Sequence, residues 1–366
     1  MRVVFRTDSS LGIGSGHVMR CLTLAERLRE QGAQVLFVCR DFPGNVSTLI
    51  EQRGFELCCL PFNKDLSTPL DWNRHAQWLG ASWQQDAIET SKCLSGRGEP
   101  ADWLIVDHYA LDINWETELK SAFKKIMVID DLADRRHDCD LLLDQNFFAC
   151  FETRYNDLVP AHCLKLLGPQ YALLRPDFRR VRENLRQRTG AINKILVFFG
   201  GSDPTDETSK ALEAVQLLNR PDIHVDVIVG IGNQKRDAVK ALCDGLPQVS
   251  YHCQIKNMAE MLANTDLCLG AGGSTSWERF AVGTPSLLIA VADNQEEHLR
   301  DLDRAGLVLS LGRSDQVDRD KIVGQVKKLL SDPELLLRME KSGLALVDCL
   351  GTQKVAEAVS SMCAEQ

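Results

Sequence analysis

Several signals are missing from this sequence, and each absence removes a class of function. No apolar run approaches the roughly 18 residues of a membrane-spanning helix. The opening "MRVVFRTD" is too short for a signal peptide and reads as a first strand. The 13 cysteines form neither a CxxC pair nor a Cys/His spacing suited to zinc. They read as reduced thiols used as small core residues, which points to the cytoplasm. No Lys/Arg patch interleaves with aromatics, and the formal charge is −9, so nucleic acid is not an expected partner. With so little positive charge to spare, an anionic small molecule has to be held locally, by backbone amides and helix ends. Low-complexity segments and internal repeats are also absent.

What remains is an ordinary globular composition, 44% hydrophobic and 25% charged, over 366 residues. At about 150 residues per domain, this length predicts two domains. Short β-rich apolar runs alternate with amphipathic stretches, twice over. In the first half the strands are "RVVFR", "QVLFVC", "FELCCL", "DWLIVD" and "KIMVID". The basic stretch 172–192 reads as a helix leading into a linker. Alternation then restarts with "KILVFFGG", "HVDVIVG", "VSYHCQI", "TDLCLGAGG", "PSLLIAVA" and "LVLSLG". Such alternation predicts parallel sheets covered on both faces. The expected fold is α/β, with two Rossmann-like domains, 1–180 and 181–366, and a ligand cleft between them at the strand ends.

The loop "RTDSSLGIGSGHVMRCLTLA" joins the first strand to the first helix and contains Gly12, Gly14 and Gly16. The dinucleotide fingerprint G-x-G-x-x-G is not met, because His17 occupies the position where the third glycine allows close helix–strand packing. A second reading is catalytic. His17 and Arg20 are three apart and share a helix face, and the positive end of a helix favours a neutral imidazole, the form a general base requires. A capping or solvent-facing histidine fits the same residues.

The loop "LCLGAGGSTSWERFAVGTPSLL" carries a stronger signal. An apolar strand runs into Gly272 and Gly273, and Ser274 and Thr275 then open a helix. Glycine backbone, amides and hydroxyls suit a pyrophosphate. Glu278, one turn in, suits two ribose hydroxyls. "FFGGSDPTDETSK" supplies a third strand-to-helix turn, with Ser202 and Asp203 at its mouth and Gly201 and Ser202 as candidate ligand contacts.

Six segments occur in order: "DSSLGIGSGHVMRCLTLAERL", "LIVDHYALDINWE", "VIDDLADRRHDCDLLLDQN", "LLGPQYALLRPDF", "FFGGSDPTDETSKAL" and "GAGGSTSWERFAVGTPSLLIAVADNQ". Together they resemble the PseG-like family, the UDP-2,4-diacetamido-2,4,6-trideoxy-β-L-altropyranose hydrolases of pseudaminic acid biosynthesis. The likeness is weakest over 61–100 and the last forty residues. It implies a GT-B architecture related to the glycosyltransferase MurG, with UDP on the C-terminal domain. In that scheme Glu278 binds ribose, Gly272, Gly273, Ser274 and Thr275 bind phosphates, and Asn294 and Gln295 reach the sugar or phosphates. His17 is the general base that activates water, with Asp8 and Arg20 beside the sugar or holding the loop. Gly14 and Gly16 let water and the anomeric carbon approach His17. By the strand-end rule Asp107, His108 and Tyr109 face the same place, and His108 competes for the role of base.

The implied reaction is hydrolysis at the sugar C1 with inversion, releasing UDP, and it needs neither cofactor nor metal. The expected partner is the UDP-sugar alone. The principal alternatives are a MurG-like transferase with another acceptor and a UDP-sugar binder without turnover. A UDP-sugar 2-epimerase and a nicotinamide-dependent dehydrogenase come after these. Trp277 packs on the ligand or in the core, His137 is structural or stands behind the site, and His75, His162, His224 and His252 receive no role.

Overall fold

The computed structural model describes residues 1–63, 73–96 and 100–364. The chain divides into two compact units. The first is Met1–Gln145, Cys150–Leu173 and Gly351–Gln366, and the second is Asn146–Ala149 with Leu174–Leu350.

The first unit is built on strands β1 (Arg2–Thr7), β2 (Gln34–Arg40), β3 (Glu56–Leu60), β4 (Ala101–Asp107), β5 (Phe123–Ile129), β6 (Leu141–Asp144) and β7 (Leu164–Leu167). They form one parallel sheet in the order β3-β2-β1-β4-β5-β6-β7. Of the seven residues of β4, only Asp102 escapes burial, as a strand covered on both faces requires. The helix Gly16–Glu30 covers one face with Val18, Cys21, Leu22, Ala25 and Leu28. Gly32 ends it at φ 89°, a conformation that favours glycine, and Ala33 N donates to Leu28 O.

The helix Gly351–Ala364 inserts Val355, Ala356 and Val359 into the same core. Trp103 Nε1 donates to Val359 O at 3.1 Å. A single cut at 180/181 therefore misses this return of the chain, and the main crossing falls at 173/174. The apolar face of a helix shows that it must be buried but not which core will bury it.

The second unit carries β8 (Lys194–Phe198), β9 (His224–Val229), β10 (Val249–Cys253), β11 (Leu267–Ala271), β12 (Ser286–Ala290) and β13 (Leu309–Arg313), in the parallel order β10-β9-β8-β11-β12-β13. The basic stretch 172–192 does hold a helix, Pro176–Arg182. The segment after that helix is fastened rather than loose. Arg188 is buried and donates to the carbonyls of Thr265, Ala263 and Val282, while Arg182 donates to those of Ala281, Leu344 and Val347. The positive charges of this region hold otherwise unpaired helix-end carbonyls.

Every strand read from the sequence is present. The unforeseen β6 and β7 are four residues each, too short to show a pattern. The expectation of reduced thiols throughout is corrected by a disulfide between Cys58, on β3, and Cys93, on the helix Trp83–Leu94. Packing brings their Cα atoms to 6.1 Å, within bridging range. Their separation of 35 residues gave no hint of it.

Candidate active site

In each sheet the strand order reverses beside the first strand of the unit, between β1 and β4 and between β8 and β11. Loops leaving neighbouring strands in opposite directions open a crevice at such a point. The glycine-rich loops of both units lie there.

In the first unit, Gly14 takes φ 81° and its N–H donates to Ser10 O, while the Ser10 hydroxyl accepts from Gly12 N and Ile13 N. This compact turn delivers His17 to the start of the helix, where it is 9% exposed. His17 Nδ1 lies 2.6 Å from Asp107 Oδ1, at the end of β4. Burial alone would raise the Asp107 carboxyl, but the charges of Arg20 and His17 hold it well below the usual carboxylate range. An ionised carboxylate only accepts hydrogen bonds, so Nδ1 carries the hydrogen, and in the neutral form of the ring Nε2 presents a lone pair. Among the described residues nothing bonds to that Nε2.

Arg20 clamps the same carboxylate with two prongs, Nε to Oδ2 at 2.6 Å and Nη2 to Oδ1 at 2.7 Å. Its Nη1 donates to Asp131 Oδ2 at 3.1 Å, and the Tyr109 hydroxyl donates to Asp131 Oδ1 at 2.5 Å. Burial and the Asp131 charge push the Tyr109 phenol well up, so it stays a donor. The Tyr109 ring meets His17 edge-on at 4.7 Å.

Asp8 and His108 lie elsewhere. Asp8 is fully buried, accepting from Arg40 N at 2.6 Å and pairing with Arg6 at 2.7 Å. Burial would raise its carboxyl, yet Arg6 and His108 bring it well below the usual range. His108 is 3% exposed, with Nδ1 accepting from Ala110 N and Nε2 3.3 Å from Asp8 Oδ2. Burial lowers its imidazole, and its one acceptor nitrogen is already in use. Both belong to a buried ionic cluster with Arg6, Arg40 and Asp86, which anchors the ends of β1 and β2. His137 is likewise internal, bonded through Nδ1 to Glu116.

In the second unit, Gly272 N donates to Ile289 O and a side chain there would press on Leu299. Ser274 is exposed and Thr275 partly so. A side chain on Gly273 would stand 3.5 Å from Gln295 Nε2, so Gln295 adjoins this loop, and its Oε1 accepts from Val291 N. Asn294 is exposed. Gly201 and Ser202 leave β8, with the Gly201 backbone so close to Gly230 that no side chain fits at 230. Neighbouring Asp203 accepts from Glu207 N and Thr208 N and starts the next helix.

The Glu278 side chain keeps 22% exposure, and its nearest cation is Arg175 at 3.8 Å. Burial raises its carboxyl, with Arg175 opposing. Beneath the loop lies Arg279, 1% exposed, donating to Ala271 O at 2.7 Å, Thr275 Oγ1 at 3.1 Å and Ser276 Oγ at 3.0 Å. Among the described residues it forms no ion pair, and its Nε has no partner. Burial lowers its guanidinium from the usual value. Trp277 is core, packed on Phe280 and on His298, whose Nδ1 donates to Phe147 O.

The sequence places Asp107 at the strand end beside His108 and Tyr109 but assigns it no role, and it assigns none to Asp131. The signal for Asp107 was a lone acid closing an apolar strand. Among the described residues no group of three or more His, Cys, Asp or Glu is arranged to hold a metal ion, and no helix is long and apolar enough to cross a membrane.

Comparisons with known proteins address the fold. Residues 195–358 match the glycosyltransferase family 28 C-terminal domain. The spore coat polysaccharide biosynthesis protein SpsG of Bacillus subtilis is 29% identical over 189 residues, 51% of this chain and 56% of that protein. The UDP-2,4-diacetamido-2,4,6-trideoxy-beta-L-altropyranose hydrolase of Campylobacter jejuni is 29% identical over 205 residues, 56% of this chain and 61% of that protein. The chain thus spans little more than half the length of these two relatives. Among solved structures, MurG of Acinetobacter baumannii superposes with a TM-score of 0.66 at 15% identity, over 98% of this chain and 99% of that one. The fold is therefore that of GT-B glycosyltransferases, two parallel-sheet α/β domains.

Proposed function

We propose that this protein hydrolyses a UDP-linked 2,4-diacetamido-2,4,6-trideoxy sugar at C1, releasing the free sugar and UDP during surface glycan biosynthesis. The observation that carries this reading is His17, held by Asp107 with Nε2 unbonded at the switch point of the first sheet. The likeness to the Campylobacter hydrolase supports the choice of substrate.

In this reading the second unit holds UDP. Glu278 accepts from the ribose hydroxyls, while the amides and hydroxyls of 272–275 donate to the diphosphate. Arg279 beneath them supplies a positive charge that no acid among the described residues neutralises through an ion pair. Gln295, and Asn294 at the same helix start, reach the sugar or the phosphates, and Gly201 and Ser202 line the neighbouring turn.

The first unit supplies the base. Water attacks C1, its proton passes to His17 Nε2, and the C1–O bond breaks with its electron pair leaving on UDP. Attack opposite the leaving group inverts C1. Two carboxylates, Asp107 and Asp131, stand against one guanidinium, Arg20, leaving one negative charge to face the imidazolium that forms. A positioned base of this kind contributes typically 10²–10⁴-fold, or about 3–5 kcal/mol of barrier. Fixed donors on the leaving diphosphate add electrostatic stabilisation that needs no reorganisation. Asp8 and His108 hold the strand ends that aim these groups.

The test is incubation with the UDP-diacetamido-trideoxyaltrose, without acceptor, followed by proton and phosphorus NMR. UDP and an initially inverted free sugar are expected. Intact substrate that nevertheless protects the protein against heat would refute hydrolysis. The match of 195–358 to a glycosyltransferase domain favours transfer to an acceptor as the second reading.

A further inference from the structure

His75 and Trp78 lie in the stretch where the sequence resembles no family motif, yet the structure brings both to the catalytic cluster. Trp78 stacks on Tyr109, with ring centroids 5.6 Å apart and an interplanar angle of 28°. His75 meets the Tyr109 ring at 5.3 Å and the Trp78 ring at 4.8 Å. Tyr109 in turn carries His17 against its edge. The group is thus continuous from the proposed base to two rings that remain partly exposed.

The segment bearing them is firmly placed. Asn73 Nδ2 donates to Ala110 O at 3.0 Å, and Asn73 Oδ1 accepts from His75 N at 2.8 Å. Ala76 and Leu79 are fully buried, Trp78 N donates to His75 O, and Gly80 turns at φ 64° against the Phe42 ring. These contacts hold the rings in one orientation, so little side-chain entropy is lost when a ligand packs on them. Burial lowers the His75 imidazole, which favours its uncharged form.

We propose that Trp78 and His75 are a specificity element of the sugar site, a wall that packs on the methyl-bearing face of a deoxy, N-acylated sugar. This rests on the hydrolase reading above. An aromatic face rewards methyl groups and offers a hydroxyl no partner, so a 6-hydroxylated sugar leaves a polar group desolvated there. Discrimination by apolar contact is modest, about 10–100-fold. The wall therefore selects the 6-deoxy sugar over a 6-hydroxy one while leaving UDP itself unaffected.

The experiment is calorimetric titration of the full chain in a His17→Ala background, so that substrate persists. The ligands are UDP, the UDP-diacetamido-trideoxyaltrose and UDP-N-acetylglucosamine, titrated with Trp78, Trp78→Phe and Trp78→Ala. The expected result is about a tenfold loss of affinity for the deoxy sugar in Trp78→Ala, with an intermediate loss in Trp78→Phe and unchanged UDP affinity. The preference over UDP-N-acetylglucosamine should narrow in step. A thermal unfolding transition matching that of the parent shows that the unit bearing residue 78 is folded in each variant. Sugar affinities independent of residue 78 would overturn the wall even if the protein with His17 intact hydrolyses its substrate. Absence of hydrolysis in that protein, with affinity still dependent on Trp78, would remove the hydrolase reading and keep the wall.

Discussion

The two glycine-rich loops occupy equivalent places in two similar sheets, yet they arrange charge in opposite ways. In the first unit, Arg20 is matched by Asp107 and Asp131, and a bonded histidine and tyrosine complete the set. In the second unit, Arg279 lies under the loop with carbonyl and hydroxyl partners but no ion pair among the described residues. A buried charge is tolerated when it is hydrogen-bonded and paired. The first site meets both conditions within the protein and is suited to moving a proton. The second meets only one, which suits a site whose counter-charge arrives with an anionic ligand. In the proposed reading, one fold thus serves chemistry in one unit and binding in the other.

The sharpest way to break this contrast is His17→Ala. It should lower kcat about 10²–10⁴-fold and leave UDP affinity unchanged, read by steady-state kinetics beside calorimetry. An unaltered rate would mean that the first unit does not supply the base. Asp107→Asn comes next. It should reduce kcat by about 10²-fold, and thermal unfolding should reveal a stability loss of about 3–5 kcal/mol, because Arg20 loses its main partner. Glu278→Ala should act on the other quantity, weakening UDP about 10–100-fold through the loss of two charge-assisted hydrogen bonds, with kcat at saturation little changed. A fall in kcat alone would blur the division between the units.

The smallest expected effect concerns His108. Its folded-state value is lowered from 6.5, so below that pH the unfolded chain binds the extra proton and stability falls with the pH. Asp8 and Asp107, both depressed in the fold, keep their contributions until the pH drops below the usual carboxylate range. The urea midpoint of the wild type should therefore decline just below neutrality, and that of His108→Gln should decline less over the same interval.

Much of this was legible beforehand, for local reasons. Strands buried on both faces announce themselves as apolar runs, and a glycine turn between such a run and an amphipathic helix marks a strand end. His17, Arg20, Gly272, Gly273 and Glu278 were singled out that way. Tertiary pairings were not legible. Arg6 reads as a polar residue in a short strand until Asp86, eighty positions away, closes on it. Arg279 reads as the solvent face of a helix until burial turns it inward. His75 had no neighbouring motif because its companion, Tyr109, comes from another strand's end.

The helix Gly351–Ala364 has a consequence for how the protein is made. Domains tend to fold as units while the chain emerges at about 5–20 residues per second. Here the unit that begins the chain lacks part of its core until Val355, Ala356 and Val359 leave the ribosome, after the whole of the other unit has been synthesised. The order of folding is therefore expected to be the reverse of the order of translation. A premature stop near residue 350 would leave the second unit complete and the unit bearing His17 unfinished, with apolar surface open to aggregation or proteolysis.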